Sequence, residues 1–512
     1  MSDGACWLGL DLGTQSVRAL AVSANGRVLA RASRPLSSRR DGPRHEQDPE
    51  QWWDALTTAC RSAVADVRPG SIAAMAVCGT SGTIVLVDAA GDPLSPGLMY
   101  DDSRAGAEAE RANDAGAAVW EALGYRIQPS WGLPKLLWLL REGAPRGGRL
   151  VGGRLVGGRL AHQADFVTRR LIGREVPTDS SHALKSGYDL RRDAWPHDVM
   201  AALGIPEGML PDVVRSGTQL GTVDRSGAEA TGIAAGTPVI AGMTDGCAAQ
   251  LAAGALREGD WSSVLGTTLV LKGVAAEPIR DPHGAVYSHR SPDGRWLPGG
   301  ASSVGAGVLT DRFTGRDLAA LDLRAAEREP AGVLVYPLVS PGERFPFAVP
   351  EAEGFMLGEP SDETDHFAGL LQGVAYVERL CFDYLDHLGA PSDGELTLTG
   401  GAARSRYWCQ LRADVLGREV RLVEHAEPAL GMALLAACAD RLPAVVAGEM
   451  VRVREVIEPR QGAGERFREP YVRLLDELER RGWLERSVAE HARARAAAHC
   501  PGHGRKSSTS KP

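Results

Sequence analysis

A Leu-Gly-Thr triplet occurs once in each half of the chain, each time in a turn that follows a short apolar run. The first lies in Trp7-Leu8-Gly9-Leu10-Asp11-Leu12-Gly13-Thr14-Gln15-Ser16, and the second in Trp261-Ser262-Ser263-Val264-Leu265-Gly266-Thr267-Thr268. Glycine lets a backbone come close to a ligand, and turn N–H groups with neighbouring threonine hydroxyls make an anion cradle. Two such turns about half the chain apart point to a duplicated architecture that grips a polyphosphate. Asp11 leaves its strand into the first turn, where a carboxylate can hold Mg²⁺ against phosphates or simply cap the turn. Asp245 follows the apolar stretch Pro238 to Ala241 and opens an Ala-rich helix, whose dipole favours an anion there. It could take the proton of an attacking sugar hydroxyl, or serve as an N-cap and nothing more.

Three further segments carry polar chemistry. Gly400-Gly401-Ala402 stands between a strand and a helix, giving either a flat surface for an adenine or close strand–helix packing. Tyr100-Asp101-Asp102-Ser103-Arg104 offers carboxylates and a guanidinium to hydroxyl groups, or an ordinary helix N-cap. Thr80-Ser81-Gly82 ends a buried strand, where Ser81 could face a substrate. No G-x-x-x-x-G-K-[ST], strand-linked G-x-G-x-x-G, protein-kinase loop or H-E-x-x-H is present, and the histidines lack ligand-like spacing.

The elements that must hold these residues alternate between strand and helix. Cys6 to Asp11, Ser16 to Val22 and Arg27 to Ala30 read as a β-meander with a tight turn at Asn25-Gly26. Asp48-Pro49-Glu50 starts a helix, followed by strands at Ile72 to Cys78 and Thr83 to Val87. In the second half, Trp296 to Pro298 reads as a strand before a turn and helix over Ala301 to Phe313; a long helix covers Thr364 to Leu388. Such alternation predicts an α/β protein with helix-covered sheets. At 512 residues two large domains are expected, with a boundary near residue 250.

Composition bounds the rest. A net charge of −8 without a basic stripe argues against nucleic acid as a partner. No window approaches the ~18 uninterrupted apolar residues of a membrane helix, and Asp3 with no basic start ahead of an apolar run predicts no signal peptide. Eight scattered cysteines without a Cys-x-x-Cys pair suit a reducing, cytoplasmic setting. Residues 147–160 form a five-residue tandem, read as an exposed low-complexity loop. Residues 487–512 read as a disordered basic tail.

The ordered set of motifs resembles the FGGY family of carbohydrate kinases. It comprises GLDLGTQSVRAL from Gly9, HEQDPEQWW from His45, LMYDDSRA from Leu98, LPKLLWL from Leu133, GMTDGCAAQLAAG from Gly242, SVLGTTLVLKG from Ser263 and TGGAARS from Thr399. The resemblance implies an α/β, two-domain actin/hexokinase-like ATPase fold of the ribonuclease H-like type, with its active site in the interdomain cleft. It implies a sugar-binding domain over 1–250 and a nucleotide-binding domain over 251–486. Asp245 would then be the catalytic base. Asp11 would organise Mg²⁺ and ATP with Gly13 and Thr14; Gly266, Thr267 and Thr268 would form the second phosphate loop, and Gly400, Gly401 and Ala402 the adenosine site. Ser81, Asp102 and Asp245 would contact the sugar. Where typical bacterial xylulokinases carry Gln-Met-His, this chain has Cys78-Gly79-Thr80-Ser81-Gly82-Thr83, and His182-Ala183-Leu184-Lys185-Ser186-Gly187-Tyr188-Asp189 follows downstream. Both resemble the plant and cyanobacterial branch associated with D-ribulose. The implied activity is transfer of the γ-phosphate of ATP to the terminal primary hydroxyl of D-ribulose or D-xylulose; the implied partner is a small sugar, with a homodimer allowed. An ATP-driven binding protein like actin or Hsp70, or a silent sugar-binding regulator, are the competing expectations.

Overall fold

The computed structural model describes residues 4–142 and 158–498, together with the backbone of two short antiparallel strands, Arg149–Val151 and Arg154–Val156. Two units emerge. The first takes the chain as far as Glu258 and adds Lys272–Pro298 and Glu424–Arg452; the second comprises Gly259–Leu271, Gly299–Val423 and the chain from Val453 onward. The expected boundary near residue 250 falls close to the first crossing, but the chain then returns twice to the first unit.

In the first unit a six-stranded sheet runs, in spatial order, Gln219–Thr222, Pro238–Ile240, Ile72–Gly79, Cys6–Leu12, Ser16–Ser23 and Val28–Pro35. Cys6–Leu12 makes an antiparallel hairpin with Ser16–Ser23 and lies parallel to Ile72–Gly79, which in turn is parallel to Pro238–Ile240. Parallel strands that share a direction end on one edge of the sheet. Register makes this concrete: Asp11 is opposite Cys78, and Gly79 bridges to Thr244. The edge therefore gathers Asp11, the Thr80-Ser81 turn and Asp245, as expected where ligands bind such sheets.

Helices fix that edge from behind. Pro49–Ala65 has proline at its first turn and Asp48 as cap, its carboxylate accepting the Glu50 N–H at 3.3 Å, and it buries Trp52 and Leu56. Pro428–Cys438 is almost wholly buried. It approaches so closely that a Cβ on Gly9 would run into the Ala429 carbonyl, and one on Gly431 into that of Ala248. Ala248 belongs to Asp245–Ala253, so one helix backbone buttresses both the first strand and the helix that opens with Asp245.

The second unit repeats the scheme. Trp261–Leu265 neighbours Leu269–Gly273 and runs parallel to Leu396–Thr399, which is parallel to Val420–Val423; Val453–Ile457 closes that edge antiparallel. The helix Glu363–His387 forms the core, where Glu378 takes two hydrogen bonds from buried Arg412, at 2.6 and 2.7 Å.

Three expectations are corrected. The strand expected at Trp296 to Pro298 continues to Ser302, and its helix shrinks to Gly307–Arg312; the Phe345 ring lies so close to Gly300 that a Cβ there would meet it. The tail expected to be disordered from 487 begins as a helix, Arg486–Ala498, which buries Val488, Ala489, Ala492 and Ala496 and ties Arg495 to Asp383 at 2.8 Å. Residues 499–512 lie outside the described residues. Within 147–160, expected as a loop, the described parts are strands, and Arg159–His162 pairs with Ile84–Val87. Among the described residues no helix is long and apolar enough to cross a membrane.

Candidate active site

Asp11 is buried and poorly compensated. The Cys78 thiol lies 3.6 Å from Oδ1, and the Arg18 guanidinium 3.7 Å from Oδ2. Burial first, and the charge of Asp245 second, push its pKa up to about 7. A buried carboxylate in that state has oxygens to offer a cation. In the adjoining turn the Gly13 N–H donates to the Ser16 carbonyl at 3.1 Å, and the Thr14 carbonyl accepts from Gln47 Nε2 at 2.6 Å. The turn is thus held by its own hairpin and by Gln47.

Asp245 is the first residue of its helix, and its Oδ1 accepts the Gly246 N–H at 2.7 Å. Thr244 before it is pinned by Ser181, whose Oγ lies 3.0 Å from the Thr244 hydroxyl. Burial raises the Asp245 pKa, opposed by the Gly246 N–H and by the charges of Lys185, His182 and Lys272. These cations are neighbours of Asp245 that motif reading missed. His182 is buried, its Nδ1 2.6 Å from Asp179 and its Nε2 3.3 Å from the Gly79 carbonyl. Burial works against its charge, but Asp179 and the other acceptors outweigh it and the pKa rises to about 9. His289, 3.2 Å from Ser181, is held neutral by burial and by the charges of Lys272 and Lys185. The site around Asp245 thus combines a carboxylate with several positive charges.

Of the expected sugar contacts, Ser81 fits best. Its hydroxyl is buried without a hydrogen-bond partner, while the turn is fixed by Gln163, which accepts from the Thr80 N–H at 3.0 Å. Asp102 is fully buried, but its oxygens already accept from the His45 N–H at 2.7 Å and from Arg104 at 2.6 and 2.9 Å. Its neighbour Asp101 binds His45 at 2.5 Å and Arg40 at 2.8 Å. Asp102 accordingly anchors the Arg104 guanidinium.

In the second unit, the Gly266 N–H donates to the Thr268 carbonyl at 3.1 Å, while the Gly266 and Thr267 carbonyls accept from Ala306 and Gly307 at 2.8 and 3.1 Å. A Cβ at Gly305 would strike the Thr267 carbonyl, so Gly305 is required for this loop to close. Gly400 has φ +86°, and a Cβ there would come within 2.5 Å of the Leu265 carbonyl. Close packing therefore accounts for Gly400. Gly401 has open space around it and starts the 3₁₀ turn Gly401–Arg404, in which Ala402 is buried.

Comparison with known proteins identifies the family. The N-terminal domain model of the FGGY family of carbohydrate kinases matches residues 6–252, and its C-terminal domain model matches residues 261–439. A xylulose kinase of Streptomyces coelicolor is 34% identical over 447 residues, covering 85% of this chain and 88% of that protein. That of Escherichia coli K12 is 28% identical over 445 residues, covering 84% and 89%. The crystal structure of xylulose kinase from Rhodospirillum rubrum superposes with a TM-score of 0.82 at 27% identity, covering 93% of this chain and 99% of that one.

Proposed function

Because the chain belongs to the FGGY family of carbohydrate kinases, with its actin/hexokinase-like fold, we propose that it transfers the γ-phosphate of ATP to the terminal primary hydroxyl of a ketopentose, D-xylulose or D-ribulose. The observation that carries this reading is the sheet edge that unites Asp11, the unpaired Ser81 hydroxyl and Asp245 beside Lys185 and His182. The names of the relatives favour xylulose. The Gly79-Thr80-Ser81-Gly82 turn, lacking Met-His, favours ribulose.

In this reading Asp245 accepts the proton of the primary hydroxyl as its oxygen bonds to the γ-phosphorus and the bond to the ADP oxygen breaks. Transfer proceeds through a loose transition state, so orientation and charge neutralisation provide most of the acceleration. Asp11 suits Mg²⁺: its carboxylate is buried, and the Arg18 guanidinium pairs with it only at 3.7 Å. When bound, the ion neutralises phosphate charge. Gly13 and Thr14, and separately Gly266, Thr267 and Thr268, would hold phosphates; Gly401 and Ala402, with Gly400 shaping the turn, would face the adenosine. Ser81 and Asp245 would contact the sugar, and Asp102 would act on it through Arg104. The setting is the cytoplasm, and a homodimer is compatible with it.

The test is a coupled ADP-release screen with Mg-ATP across ketopentoses, ketohexoses, alditols and glycerol, with the phosphorylated product identified. Release that depends on D-xylulose or D-ribulose is the expected result. ATP turnover indifferent to every sugar would overturn it and point to an actin- or Hsp70-like binding protein.

A further inference from the structure

Lys185 stands in the 3₁₀ turn Leu184–Ser186, directly after the short helix Ser180–Ala183, and Gly187 at φ +92° ends that turn. The turn is rigid on both sides: His162 Nε2 lies 2.9 Å from the Ser186 hydroxyl, and His182 is clamped by Asp179. The lysine stem passes over Gly82, where a Cβ would come within 3.1 Å of Cδ. Its Nζ donates to the Ser81 carbonyl at 3.3 Å and sits 5.9 Å and 5.7 Å from the ring centres of Trp131 and Tyr287. An ammonium has three N–H bonds, and one is used here. Among the described residues no carboxylate pairs with it within ion-pair distance.

Adjacent to this donor is the second unsatisfied group, the buried Ser81 hydroxyl. A lysine with two N–H bonds still to give and a serine hydroxyl without a partner, framed by two aromatic rings near Asp245, form a built environment for a polyhydroxylated molecule. Sugar oxygens accept such hydrogen bonds, and C–H faces lie against aromatic rings.

Resting on the sugar-kinase reading above, we infer that Lys185 is a substrate-binding residue, donating from its ammonium to an acceptor oxygen of the bound ketose in concert with the Ser81 hydroxyl. It acts on affinity for the sugar and not on the nucleotide. A charge-assisted hydrogen bond of this kind sets the size of the effect.

The experiment compares wild type, Lys185→Met and Lys185→Arg, using the sugar that the screen identifies. Steady-state ADP release gives KM for sugar and for ATP separately, and calorimetry gives sugar affinity without nucleotide. Lys185→Met is expected to raise the sugar KM and Kd about 10- to 100-fold while KM for ATP and the thermal midpoint hold. Lys185→Arg recovers part of the loss. Should Lys185→Met fail to fold, Lys185→Gln is read by the same measurements. A sugar KM and Kd within two-fold of wild type, or a fall in kcat alone, overturns the inference while leaving the kinase reading intact. A wild type that releases no ADP in response to any sugar overturns both.

Discussion

At the scale of single residues, the two acids at the sheet edge are set apart by their surroundings. Asp245→Asn keeps the shape and the hydrogen bond from Gly246 but removes the proton acceptor. Turnover should fall by about 10²–10⁴-fold, with the fold retained and the thermal midpoint no lower, since a desolvated charge is lost. Coupled ADP release and a melt on the same sample check both halves, and near-normal sugar phosphorylation would remove Asp245 from the mechanism. His182 makes a pH prediction. Its folded pKa of about 9 exceeds the ordinary 6.5, so its stabilising contribution is complete below about pH 6.5 and fades as pH rises through 9. The gap in unfolding free energy between wild type and His182→Gln should shrink by roughly 3 kcal/mol from about pH 6 to about pH 10. Denaturant titrations along that range measure it; a gap that widens with pH would contradict the assignment. Asp11, Ser81 and Asp245 were legible in the sequence because each follows an apolar strand at a glycine-bearing turn. Lys185, His182, Lys272 and His289 were not. They come from three stretches of chain, the 182–185 turn, Lys272 and His289, and only the fold brings the charges of Lys185, His182 and Lys272 to one carboxylate.

Element-scale behaviour turns on how closely helices approach. Gly431 touches the backbone of the helix that begins with Asp245, whereas Gly448, in the helix Pro443–Met450, has nothing within 4 Å of a Cβ. Gly431→Ala must push two backbones apart and should cost about 1–3 kcal/mol or more, with activity lost alongside because Asp245 moves with its helix. Gly448→Ala should instead stabilise by about 0.4–1 kcal/mol, since alanine loses less freedom on entering a helix. Thermal melts of the pair, run side by side, test whether backbone contact or helix propensity governs each site; equal effects would refute the contrast. The same physics explains which elements the sequence disclosed. Asp48-Pro49 and the Asn25-Gly26 turn carry local signals, and their helix and hairpin form where expected. The strand through Gly299 and Gly300 carries none, since two glycines read as a turn, and the space for a side chain at Gly300 is filled by Phe345 from a distant segment. The helix Arg486–Ala498 was hidden by its polar composition, and it is held by packing on Ala463–Arg480 and on the distant helix Glu363–His387.

For the whole molecule, chain order and spatial order part company. The linear family match splits near residues 252 and 261, yet the first unit recovers Lys272–Pro298 and Glu424–Arg452 from beyond that split. Linear patterning discloses the split because each half carries its own glycine hairpin. It cannot disclose the returns, which exist only through packing between distant segments. These returns are structural necessities: Leu430, Met432, Ala433 and Leu434 share one core with Trp7, Leu20, Met243 and Cys247. A fragment ending at Glu258 would therefore leave that face of the sheet, and the helix carrying Asp245, without their cover. Removing this much apolar contact exceeds what a marginally stable domain tolerates. The fragment should show no cooperative thermal transition and should bind a hydrophobic dye. Restoring 272–298 and 424–452 through linkers should recover a cooperative transition. A fragment ending at Glu258 that melts cooperatively on its own would mean that the first half folds autonomously, and that the buried helix Pro428–Cys438 is not what holds Asp245 at the sheet edge.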